Sequence, residues 1–142
     1  MSETSGSFEQ TRYSPLKVPI LEIAFSVSNN SGKVLSKTEK FWVDSGFDGD
    51  LKMPQSLGNQ LKGMQMPFVN KLGGVASGSA KYELFKAKII TMKLNGLVVN
   101  NDEIDCVLAC FGTNVTPPLV GLNAISKWKT CLDIPNGVLT IS

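Results

Sequence analysis

The stretch FWVDSGFDGDLKMP, residues 41–54, decides how this chain is read. An apolar run, Phe41-Trp42-Val43, stops at Asp44. Two glycines, Gly46 and Gly49, and two further aspartates, Asp48 and Asp50, follow before the stretch closes on Pro54. Aromatic and β-branched residues in series mark a buried strand. A carboxylate at the strand's end, followed by a permissive backbone, puts an acid on a tight loop at the rim of a core.

The flanks supply that core. Residues 16–27 are apolar and β-branched, the Asn29-Asn30-Ser31-Gly32 cluster is a turn, and residues 34–43 read as the return strand of a hairpin that delivers Asp44 at its far end. Beyond Pro54, Leu57, Leu61 and Met64 recur at helical spacing within residues 54–66. Residues 68–82 carry Gly73, Gly74 and Gly78 between strand-like flanks and suit a mobile hairpin. Residues 84–94 alternate as a strand, Asn95-Gly96 is a two-residue hairpin signal, and residues 97–100 return. Residues 104–111 form another apolar strand. A short helix over 123–128 and a closing hairpin over 131–141 complete the chain. Many short strands, frequent turns and one or two short helices predict a mostly β, closed barrel-like single domain over residues 16–142. Residues 1–15, rich in Ser, Thr and Glu, read as a flexible N-terminal tail.

Composition narrows the chemistry. A chain of 142 residues is of single-domain size. Its net charge of +2 and the lack of a dense basic stripe argue against nucleic acid as a partner. The chain has no histidine, which removes Ser-His and Cys-His nucleophiles, His-ligated zinc and imidazole acid–base catalysis. Hydrolytic chemistry is left to carboxylates, lysine, tyrosine or cysteine. Cys106, Cys110 and Cys131 include no Cys-x-x-Cys pair and read as buried free thiols of a cytoplasmic protein. The polar N-terminus is no secretory signal, and no apolar run has transmembrane length, so no membrane partner is expected.

Three local motif readings compete, two on the opening stretch and one on the glycine-rich segment. As a calcium loop counted from Asp44, it has Asp48, Gly49 and Asp50 at positions five to seven, but Gly46 at three and Gln55 where the bidentate glutamate belongs. A phosphate loop over residues 73–81 fails because Ser79 stands in the lysine position. A plain turn, in which Asp44 only ends a hairpin, is compatible with Asp and Gly in any loop. With its strongest ligand missing, the calcium reading gives way, and no metal or cofactor is expected.

Context distinguishes a fourth. Phe41-Trp42-Val43-Asp44-Ser45-Gly46 resembles the active-site element of aspartic proteases, and Leu119-Val120-Gly121, followed by Leu122-Asn123-Ala124-Ile125, resembles their second element of two apolar residues, a glycine and a short helix. A glycine-rich segment, Gly73-Gly74-Val75-Ala76-Ser77-Gly78-Ser79, lies between the two, where that family has its flap. The order is similar to the single-lobe, retropepsin-like branch of the family, with Val43 to Pro54 most like its small prokaryotic and archaeal members. Phe47 where Ala is usual, and Val120 where Ile or Leu is common, are departures.

The resemblance implies an acid-protease barrel and an aspartic endopeptidase with no cofactor. Its substrate would be an extended peptide or an unfolded protein. The chain offers one Asp-Ser-Gly, so a pair of aspartates requires a homodimer in which Asp44 of each copy meets the other. Ser45 would hydrogen-bond across the two-fold axis, Gly46 would let its amide approach the carboxylate, and Gly121 would leave room for the loop. Residues 70–83 would fold over the peptide. Asp48, Asp50, Asp105 and Asp133 read as solvated charges, and Trp42 and Trp128 as core. The alternatives are a protease-like domain that binds peptides without cutting, and an unrelated small β-barrel binding module.

Overall fold

The computed structural model describes residues 3–75 and 78–142. Its strands are β1 (Thr4–Ser7), β2 (Glu9–Thr11), β3 (Ser14–Val18), β4 (Ile20–Ser28), β5 (Val34–Asp44) and β6 (Leu51–Met53). After helix α1 (Gln55–Gly63) come β7 (Val69–Val75), β8 (Gly78–Leu94), β9 (Leu97–Asn100), β10 (Ile104–Cys110) and β11 (Leu119–Gly121). Helix α2 (Leu122–Ile125) then leads to β12 (Thr130–Asp133) and β13 (Val138–Ile141).

The main sheet closes on itself. Pairing runs β10-β6-β11-β5-β4-β8, and β8 returns to β10, with Ile104 opposite Ile89 and Cys110 opposite Glu83. Closure leaves no free edge within the ring. The alternation expected of the first hairpin is present: Ile23, Phe25 and Val27 of β4 and Phe41 and Val43 of β5 point into the core, while Glu22, Ala24 and Ser26 are only partly covered. Phe25 and Phe41 meet edge to face at 5.9 Å, a preferred aromatic geometry. Helix α1 buries Leu57, Gly58 and Leu61, the apolar face its spacing predicts. The Asn95-Gly96 turn has φ of 48° and 82° at its two central residues, the left-handed pair of a tight hairpin.

The N-terminal segment differs from the loose tail expected of it. Strand β1 pairs antiparallel with β13, which also pairs with β12, and β2 and β3 form a hairpin. Low hydrophobicity concealed this, because backbone and small polar groups make the contact. Ser7 donates its N–H to Asn95 Oδ1 at 2.7 Å and accepts from Asn95 Nδ2 at 3.1 Å, so the turn residue of one hairpin ties down another segment. Ser5 and Thr140 share a hydroxyl hydrogen bond of 3.0 Å, and Lys40 pairs with Glu9 at 2.8 Å. Among the described residues no helix is long and apolar enough to cross a membrane.

Candidate active site

Asp44 is the last residue of β5, and its register partner on the parallel strand β11 is Gly121. Its carboxylate Oδ1 accepts the N–H of Gly46 at 2.9 Å, and its carbonyl accepts the N–H of Phe47 at 3.2 Å. The acid is therefore oriented by its own loop. Asp44 is half-buried, while Ser45 and Gly46 are exposed.

The loop is clamped from the other side by the second element. Gly121 N–H donates to Asp50 O at 2.8 Å, Leu122 N–H to Phe47 O at 2.7 Å, and Asn123 N–H to Gly49 O at 3.2 Å. The approach is so close that a Cβ on Gly121 would collide with the carbonyl oxygens of Gly49 and Phe47, 2.5 Å from the latter. Glycine is needed here for space. Val120 is fully buried below, and Leu119 is half-buried.

Asp50 is not the solvated turn residue the sequence suggested. It is buried, its Oδ1 accepts from Asn123 Nδ2 at 2.8 Å, and its Oδ2 accepts the N–H of Val107 at 2.9 Å. A carboxylate can leave water when donors replace the lost hydration, and here a strand amide and a helix side chain do so. Asp48 and Asp105 are exposed as expected, and Asp133, the exposed last residue of β12, is bonded to Asn136. Among the described residues no three acidic, Cys or His side chains are grouped to hold a metal ion.

Two hollows adjoin the loop. One, of about 610 Å³, lies between the Gly46–Asp50 segment and the β7–β8 hairpin, with Gly73 and Tyr82 on the hairpin side. The Tyr82 ring packs against Gly73 and stacks on Phe111 at 4.3 Å. The second, of about 390 Å³, is lined by Asp44 itself with Trp42, Lys52, Phe111, Pro117 and Leu119. Trp42, read from sequence as core, is half-buried and forms a wall of this hollow. Lys52 is 1% exposed, with Nζ 2.7 Å from Thr116 Oγ1 and 4.9 Å from the Phe111 ring centre. Burial pushes its pKa below the ordinary lysine value, with the neighbouring Cys110 acting weakly the other way. Burial likewise pushes the thiols of Cys106 and Cys110 up to about 12, whereas Cys131, expected to be buried, is exposed on β12.

The whole-chain comparison decides the fold. A solved retropepsin-like aspartic protease from Rickettsia conorii superposes with a TM-score of 0.52 over 99% of this chain and 98% of that one, at 14% sequence identity. The chain has a retropepsin-like fold. No family model matches it, and no curated protein does.

Within this retropepsin-like fold, Asp44, Ser45 and Gly46 come together with Leu119, Val120 and Gly121 through the β5–β11 pairing. Gly73 reaches the hollow that Gly46 lines. The backbones of Gly74 and Val75 pair with those of Ser79 and Gly78, while Ala76 and Ser77 lie outside the described residues. Lys52, Tyr82, Phe111 and the structural part of Asp50 went unread in the sequence. The one available signal for Lys52 was a cation inside the apolar run Leu51-Lys52-Met53-Pro54, which alternation assigns to solvent.

Proposed function

We propose that the chain is an aspartic endopeptidase that acts as a homodimer on extended peptide or unfolded protein, without a cofactor. The observation that carries this reading is Asp44 at a strand end, held by the Gly46 amide at 2.9 Å, on an exposed loop that opens to the hollow under the β7–β8 hairpin. Two copies of Asp44 about 3 Å apart, at an effective dielectric near 20, would repel by about 5 kcal/mol if both were charged. That is about four pK units, so the pair keeps one proton near neutral pH. The ionised carboxylate takes a proton from water as it attacks the peptide carbonyl. The protonated one gives its proton to the developing oxyanion, and the pair then protonates the leaving amine. Ser45 would steady the loops across the axis, and Leu119, Val120 and Gly121 would support them. Residues 73–79 would cover the peptide and exclude water. The peptide would lie extended, its backbone supplying part of the affinity. Exposed Leu122, next to the loop through its bond to Phe47, offers apolar surface for a second copy.

The test is digestion of a peptide library from acidic to neutral pH, with Asp44→Asn beside the parent and sedimentation of both. Cleavage by a dimeric parent, absent in Asp44→Asn, is the expected result. Cleavage that persists in the variant, or a strictly monomeric parent that still cuts, overturns the mechanism. Peptide binding without cleavage leaves the silent binding domain as the better account.

A further inference from the structure

We propose that the hollow beside Asp44 receives an acidic side chain of the bound peptide, whose carboxylate meets the ammonium of Lys52. This rests on the peptide-cleft reading above and names its substrate class. Apart from Asp44 the walls are mostly apolar: Trp42, Phe111, Pro117 and Leu119. A hollow of about 390 Å³ so lined would by itself select an aliphatic or aromatic side chain. Lys52 changes that selection. It is among the largest fully buried side chains of the molecule, and it takes part in none of the ion pairs found among the described residues, with Asp44 or any other acid. One of its three donors meets Thr116 Oγ1, whose own proton goes to Thr113 O at 2.8 Å. The Phe111 ring face supplies the other attraction.

A buried ammonium with a hydroxyl and a ring but no ion-pair partner among the described residues is under-compensated. Its lowered pKa agrees in direction and follows from the same burial. Lys52 itself lines the hollow, beside Gly112 and Thr116. Thr116 and Gly112 are exposed, and a Cβ placed on Gly112 would stand 3.6 Å from Nζ and 3.4 Å from Thr116 Oγ1, both side-chain atoms. A carboxylate entering there would complete the lysine's hydrogen bonding, while its methylenes would pack on Trp42 and Leu119. Glutamate and aspartate fit that description, whereas glutamine has the shape without the charge.

The measurement is mass-spectrometric mapping of cleavage sites in a proteome-derived peptide library. Glutamate or aspartate should be enriched over glutamine at one position flanking the cut by about tenfold. Lys52→Met should move that preference to leucine and methionine, and Lys52→Gln, kept in case the first variant does not fold, should erase it. A parent that cleaves with no preference for glutamate over glutamine overturns the assignment and leaves the protease reading standing. Fluorescence anisotropy of Asp44→Asn protein with two labelled octapeptide pools, one with a central glutamate and one with glutamine, separates the other case. Glutamate-selective binding that is lost when Lys52→Met is added supports the pocket even where the parent cleaves nothing. Equal binding of the two pools by Asp44→Asn protein, where the parent cleaves nothing, overturns it.

Discussion

Asn123 donates its side-chain amide to the buried carboxylate of Asp50 at 2.8 Å, a bond between residues 73 positions apart in the chain. It joins the end of the Asp44 loop to the start of α2, and the other oxygen of Asp50 joins the same loop to β10 through Val107. Asp50→Ala removes both acceptors and leaves the Val107 amide without one. The expected loss is about 2–3 kcal/mol of stability, measured by urea unfolding. Asp50→Asn keeps one acceptor oxygen and should fall between parent and Ala. An Ala variant as stable as the parent would show that the loop is held by its backbone bonds alone.

Gly121→Ala tests the closeness of the two elements. The new methyl meets carbonyl oxygens of Phe47 and Gly49, which are backbone atoms that cannot rotate aside. A cost of about 3 kcal/mol or more is expected, at or beyond the upper end for overpacking. Gly63→Ala is the matched control, because nothing lies within 4 Å of its Cβ position and it sits in the last turn of α1. There alanine should be neutral or stabilising by up to about 1 kcal/mol. Equal melting temperatures for the two variants would contradict the packing described.

Much of the barrel is legible because its strands obey period two. The β4–β5 hairpin and the Asn95-Gly96 turn are written in local residue choices, whereas the Asp-Ser-Gly and Leu-Val-Gly elements are singled out by their resemblance to aspartic proteases, and their pairing is seen only in the fold. Segments whose structure depends on distant partners are not legible. Residues 4–7 have no apolar side chain, and their strand state comes from β13 and from the Asn95 side chain. Asp50 and Lys52 look like surface charges because alternation treats a short strand as two-faced. In a closed barrel β6 is wedged between β10 and β11 with all three of its residues buried, so its charged side chain is covered too. Phe111 and Tyr82 carry no local sign of stacking, since their contact forms only when β8 pairs with β10.

The same pairing places Glu83 where the β7–β8 hairpin leaves the barrel, opposite both Asn70 and Cys110. Burial raises its pKa, but the hydrogen bonds from Lys62, at 2.5 Å, and from Gln55, with the charges of Lys62 and Lys81, outweigh burial and hold it below the ordinary glutamate value. A carboxylate depressed on folding contributes stability that is complete above its unfolded pKa of about 4.3. That contribution is lost as pH falls through the lower, folded value. Glu83→Gln should therefore cost about 1–2 kcal/mol at pH 7, a modest figure because the Lys62 side chain is 34% exposed and partly screened. The gap between variant and parent should shrink steadily below about pH 4.3, which urea unfolding at pH 7, 5 and 3.5 would follow. Lys62→Met should reproduce most of the loss at neutral pH and the same narrowing in acid. A gap of constant size across that range would mean that Glu83 acts through shape and not through its charge.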